Sequence, residues 1–139
     1  MQQTAPDGYK AMLGFEKYLA NASLTNTHKD LIKIRASQLN GCAYCINLHT
    51  KEARQHGESE QRIYALNAWR DTPFFTDEER AVLALTEEVT LITNHVKDET
   101  YNNAASILGP AYLAEVIFAA ITINAWNRIG IATGMQPAL

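Results

Sequence analysis

The chain of 139 residues holds only two cysteines, four prolines and seven glycines, and each scarcity excludes something. Two cysteines are too few for a small secreted scaffold stapled by disulfides, and no second Cys or His pair stands apart from them to complete the usual structural zinc site. With so little proline and glycine there is no linker between domains, no low-complexity segment appears, and nothing repeats at periods of about 20 to 50 residues. Basic runs are missing too. The 12 basic and 15 acidic residues leave a net charge of −3, which speaks against nucleic acid or an anionic membrane as partner. The most apolar stretch, Ala111 to about Thr133, is interrupted by Glu115, Asn124, Asn127 and Arg128, so it reads as a buried or subunit-interface helix rather than a membrane span. Met1 to Pro6 lack the charged and apolar regions of a secretory signal, and a cytoplasmic address is the expectation.

What is present is an ordinary soluble composition, 47% hydrophobic, in one domain over residues 1–139. Helical spacing of Met12, Phe15 and Leu19 predicts a first helix from Pro6 to Ala22, and Thr27 is the expected N-cap of a second from His28 to Leu39. A third is predicted from Cys42 to about Gln55, ending at Gly57. Ser59 caps a short fourth through Ile63, Leu66 and Trp69, which Arg70-Asp71-Thr72-Pro73 breaks. Thr76 and Glu79 form a capping box for a fifth helix through Val82, Leu85, Val89 and Ile92. Lys97 to Leu108 reads as a sixth and Ala111 to Thr133 as a seventh, with Pro110 in its first turn.

Only Ile32-Lys33-Ile34-Arg35 alternates like a strand, and Asn40-Gly41 after it is a hairpin dipeptide. No other segment offers a strand to pair with, so two helices joined by a tight Asn-Gly turn are preferred. The expected fold is an all-α bundle of six or seven helices.

That turn leads into Asn40-Gly41-Cys42-Ala43-Tyr44-Cys45-Ile46-Asn47-Leu48-His49. On a helix starting after Gly41, Cys45 lies about 60° from Cys42 and His49 about 20° from it, so two thiols and an imidazole share one face. A helix N-terminus and a neighbouring base both lower a thiol pKa. His49 stands one turn beyond Cys45, and the helix start favours Cys42, so geometry alone leaves open which thiol is the more activated. The reading is a redox dithiol with its own acid–base partner. Inert core cysteines are a weaker reading, as is zinc held by Cys42, Cys45, His49 and Asp30. His28, His56 and His95 are expected at the surface or at caps. Trp69, Trp126, Phe74 and Phe75 are expected as core or interface anchors, and Arg70, Glu87, Glu88 and Arg128 in structural ion pairs.

The run Ile34 to Cys45, followed by His49-Thr50-Lys51-Glu52-Ala53, resembles the core signature of the AhpD-like alkylhydroperoxidase family, within the carboxymuconolactone decarboxylase superfamily. Trp69-Arg70, Phe74 to Thr76, Glu79 to Ala81, Glu87 to Thr90 and Asn124 to Arg128 extend the likeness over roughly residues 9–130. The resemblance implies an all-helical subunit assembled as trimers or hexamers, with no cofactor and no metal. It also implies a thiol peroxidase that takes a hydroperoxide and an external dithiol reductant. On the family pattern Cys45 is the nucleophile, Cys42 the resolving thiol and His49 the base. The family's relay glutamate falls on Asp30, one methylene shorter, which reaches His49 through water or not directly. Tyr44 stands where longer family members carry histidine. A redox adaptor with little peroxidase activity is the alternative. A lactone decarboxylase is a more distant one, because those members use a histidine-based site without the cysteine pair.

Overall fold

Helix caps divide this chain more sharply than hydrophobicity does. A computed structural model describes all residues, 1–139, as seven α-helices: α1 (Pro6–Ala20), α2 (Asn26–Asn40), α3 (Ala43–Gln55), α4 (Glu60–Ala65), α5 (Asp77–Thr90), α6 (Asp98–Leu108) and α7 (Pro110–Ala132). Two 3₁₀ segments, Leu66–Asp71 and Ile92–Asn94, complete the chain, and Ile32 to Arg35 is helical. The side chains of Thr25, Cys42, Ser59 and Thr76 each accept from the backbone N–H three residues on, which satisfies a donor the first turn leaves free. At α5 the capping box expected from Thr76 and Glu79 is present in both directions.

Several boundaries differ from the sequence reading, among them the end of the fifth helix, which stops at Thr90 and leaves Ile92 in the 3₁₀ segment. The second helix is capped by Thr25, not Thr27: Thr25 Oγ1 accepts from His28 N–H at 3.1 Å while its own N–H donates to the Tyr112 hydroxyl at 3.2 Å. A contact 87 residues away thus decides between two threonines that look alike locally. The first helix stops at Ala20, and the fourth tightens into 3₁₀ geometry after Ala65, with Ala68 out of helical conformation. His28 is buried rather than at the surface, its Nδ1 2.5 Å from the Tyr112 hydroxyl, and burial pushes its pKa down.

At the centre lies α2, packed against α3, α5 and α7. It can take that place because it is apolar on two sides. Ile32 and Ala36 join Leu19, Val82, Leu85, Val116, Ala120 and Ile123 in the larger core, while Leu31 and Ile34 join Ala53, Leu66, Trp69, Phe75 and Leu83 in the smaller one. The buried stripe of α7 runs Leu113, Val116, Ala120, Ile123, Asn127, Gly130, at the three- and four-residue steps of one helix face. Its other side leaves Phe118 and Ile121 exposed, and Ile131 is exposed near the end of the helix. No helix is long and apolar enough to cross a membrane.

Candidate active site at the start of the third helix

The turn from α2 into α3 sets up the site. Gly41 adopts φ +70°, a left-handed conformation that glycine enters without steric cost, and closes α2 with bonds from Gly41 N–H to Gln38 O and from Cys42 N–H to Ser37 O. The chain reverses within this Schellman turn, so Cys42 ends α2 and caps α3. Its Sγ accepts from Cys45 N–H at 3.3 Å, and the helix proper begins at Ala43. Cys45 therefore occupies the first turn of α3, where free N–H groups and the helix dipole favour negative charge.

Cys42 and Cys45 are joined as a disulfide with a Cα–Cα separation of 5.3 Å, and both are buried. Gly130 on α7 lies directly over the sulfurs: a Cβ there would stand 3.3 Å from Cys42 Sγ, 3.7 Å from Cys45 Sγ and 3.9 Å from Met135 Sδ. The bond from Met135 N–H to Gly130 O, at 2.9 Å, folds the chain back after α7 and brings the Met135 sulfur to the same place.

A buried amide network pins the turn to the rest of the bundle. Asn40 Nδ2 donates to Asn124 Oδ1 and Asn127 Oδ1, both at 2.9 Å. Asn127 Nδ2 donates to Ser37 Oγ and Asn124 Nδ2 to Thr90 Oγ1, both at 3.0 Å. Every one of these groups is satisfied, which makes such a network rigid rather than costly. The asparagines belong to segments that carry the family likeness, but nothing in the sequence says that they meet.

Cys45 and His49 open onto a cavity of about 540 Å³ that Cys42 does not line. Tyr9 and Glu16 of α1, Lys33 of α2, Glu52 of α3 and Trp126 and Ile129 of α7 form its walls, with Met135 at the end of the chain. Trp126 Nε1 donates to Glu16 Oε1 at 2.9 Å and Tyr9 meets the indole edge-on, so α1 is held as one wall. His49 is 9% exposed, and that burial pushes its pKa below the usual imidazole value, Lys33 adding to the fall while Glu52 opposes it. The ring is thus neutral near pH 7 and able to accept a proton.

The carboxylate on His49 Nδ1 is Glu52, at 2.8 Å. Asp30 lies instead against His56, Oδ2 to Nδ1 at 2.7 Å, on the far end of α3. Burial pushes the Asp30 pKa up, and the hydrogen bond and charge of His56 work against that rise. Cys42, Cys45, His49 and Asp30 are accordingly not gathered into one metal-binding set. Away from the cavity, Glu87 accepts from Arg35 Nε and Trp69 Nε1, both at 2.8 Å, and from Arg70 Nη1, so Arg70 and Glu87 form an ion pair as expected, whereas Glu88 and Arg128 form none and Arg128 Nη1 donates instead to Asn124 O at 3.1 Å. Gly130, Glu52 and the cavity walls Glu16 and Lys33 were not visible as site residues in the sequence. Only the i, i+3 spacing of His49 and Glu52 offered a signal.

A family model described as the carboxymuconolactone decarboxylase family matches residues 6–88. The chain is 44% identical to the Bacillus subtilis protein YdfG over 137 residues, 98% of this chain and 93% of that one. Among solved structures it overlays, with a TM-score of 0.96 and 33% identity, on a protein of unknown function from Agrobacterium tumefaciens, 99% of this chain covering 95% of that one; its name attaches it provisionally to the antioxidant defence protein AhpD. A Ralstonia eutropha protein named for an alkylhydroperoxidase AhpD core has the same fold, with a TM-score of 0.84, 18% identity and coverage of 99% of this chain and 74% of that one. The chain belongs to the carboxymuconolactone decarboxylase family, on its AhpD-like side.

Proposed function

We propose that the protein is a thiol-dependent hydroperoxide reductase. The observation that carries this reading is that Cys45, in the first turn of α3 and four residues from a neutral His49, lines the cavity while its disulfide partner Cys42 does not. Substrate arriving there meets Cys45. In the reduced protein His49 takes the Cys45 proton, and the thiolate attacks the outer oxygen of the hydroperoxide. The O–O bond breaks, Cys45 becomes a sulfenic acid, and the alkoxide leaves as the alcohol after taking up a proton. Cys42 then displaces water from the sulfenic acid and forms the disulfide. An external dithiol reduces it by exchange, which returns both thiols and leaves the donor oxidised.

The amide network and Gly130 keep the turn and α7 in register while the sulfur–sulfur bond forms and breaks. Steady-state consumption of tert-butyl hydroperoxide with dithiothreitol tests the proposal. The wild type should consume hydroperoxide catalytically, and Cys45→Ser should fall to the uncatalysed rate. Disulfide exchange with dithiothreitol unaccompanied by hydroperoxide loss would contradict it and favour a disulfide carrier.

A further inference from the structure

Two imidazoles, His49 within α3 and His56 at its C-cap, each hold one carboxylate, and the pairing is not the one the sequence suggests. Glu52 follows His49 by three residues on the same helix, so it reaches the ring whatever the spacing between helices. Asp30 approaches from α2 and is already engaged by His56. Its side chain is 3% exposed, which leaves little room for a second partner. A carboxylate only accepts, so the neutral His49 ring carries its proton on Nδ1, toward Glu52, and Nε2 is the free base.

We propose that Glu52, not Asp30, positions His49 as the base for Cys45, and that Asp30 with His56 is a separate clamp between α2 and α3. This rests on the assignment of His49 made above. The charged groups that face His49 are Glu52 on its own helix, Lys33 on α2 and Glu16 on α1; from α7 come only Trp126 and Ile129, which carry no charge. Glu16 is committed to the indole N–H of Trp126, so Glu52 is the one anion bonded to the ring. It does two things: it selects the Nδ1–H tautomer, and it stabilises the imidazolium that forms when Cys45 loses its proton. With a side chain 38% exposed, Glu52 can be replaced without opening the core.

The test is the pH dependence of alkylation of reduced Cys45 by iodoacetamide, followed by mass spectrometry of the peptide that contains it. Glu52→Ala should slow alkylation about tenfold at pH 7 and move the His49 inflection to lower pH, because it removes both the acceptor and the charge. Glu52→Gln, which keeps an acceptor, should recover part of the rate. Asp30→Asn should leave the inflection in place. A profile displaced by Asp30→Asn and untouched by Glu52→Ala would overturn the assignment. Alkylation needs no hydroperoxide, so a protein that behaves as predicted here but consumes none would refute the reductase reading alone.

Discussion

Gly130 carries no side chain, and that allows α7 to lie against the two bonded sulfurs of α3. Adding a methyl group there brings about 1 kcal/mol of helix propensity, while overpacking a filled interior costs about 1 to 3 kcal/mol. A Cβ at 3.3 Å from Cys42 Sγ is tight enough for the second effect to win, and the reduced protein should suffer more because unbonded sulfurs need more room than bonded ones. Gly130→Ala should therefore lower the urea unfolding midpoint, with the larger loss under reducing conditions; an unchanged or raised midpoint in both states would show that the contact relaxes freely. His49→Ala removes the base and should slow hydroperoxide consumption on the order of 10²-fold, the usual scale for that loss. Alkylation of Cys45 at pH 7 at the parent rate would take His49 out of the mechanism. The two cysteines and His49 were legible because their spacing on one helix is a local property. Gly130 was not, since its role is to leave space for residues more than eighty positions away.

Between elements, carboxylates carry much of the electrostatic stability, and their signs can be worked out. Burial raises the Glu87 pKa, but Arg70, Trp69 and Arg35 more than offset this and hold it below the ordinary carboxylate value of 4.5. Glu79 is likewise held low against burial by Arg62 and the Thr76 N–H. A carboxylate whose folded pKa is depressed gives stability that is present above its unfolded pKa and lost as pH falls through the folded one. Asp30, raised by burial, acts in the opposite sense: its ionisation opposes folding, and that cost is relieved as pH falls through its folded pKa. Glu79, Glu87 and Glu115 are all depressed, and His28 and His49, whose folded pKa values are lowered, act in the same sense. Stability should therefore fall on acidification, first below about pH 6.5 as the histidines are driven to charge and further below about pH 4.5. Glu87→Gln should be less stable than the parent at pH 7, and the gap should narrow as pH falls through the depressed pKa of Glu87. Urea midpoints measured from pH 7 downward decide it, and a gap that does not narrow on acidification would mean the loss is steric. At this scale the seven helices and the Thr76–Glu79 box were legible from period and capping residues. The Thr25 cap and the His56 partner of Asp30 were not, because Tyr112 and the α2–α3 packing select them.

Across the whole molecule, the apolar surface that α7 leaves uncovered adjoins other exposed side chains. Phe118 stacks edge-on with Tyr18 beside Phe15, and Ile121 borders a groove of about 680 Å³ with Ile92, Val96 and Tyr101. Apolar patches of this extent are characteristic of association surfaces. We propose that the chain assembles with copies of itself through these faces; light scattering at micromolar concentration should give a mass above the 15.5 kDa of one chain, and a monomeric mass would contradict it. The catalytic claim stands or falls inside one subunit, at Cys45. Its most direct test is treatment of reduced Cys42→Ser protein with one equivalent of tert-butyl hydroperoxide in the presence of dimedone, followed by peptide mass spectrometry. The account predicts consumption of about one equivalent, the stoichiometry of a single thiol, and a dimedone adduct on Cys45. An inert Cys42→Ser protein, together with an adduct on Cys42 in Cys45→Ser, would contradict it.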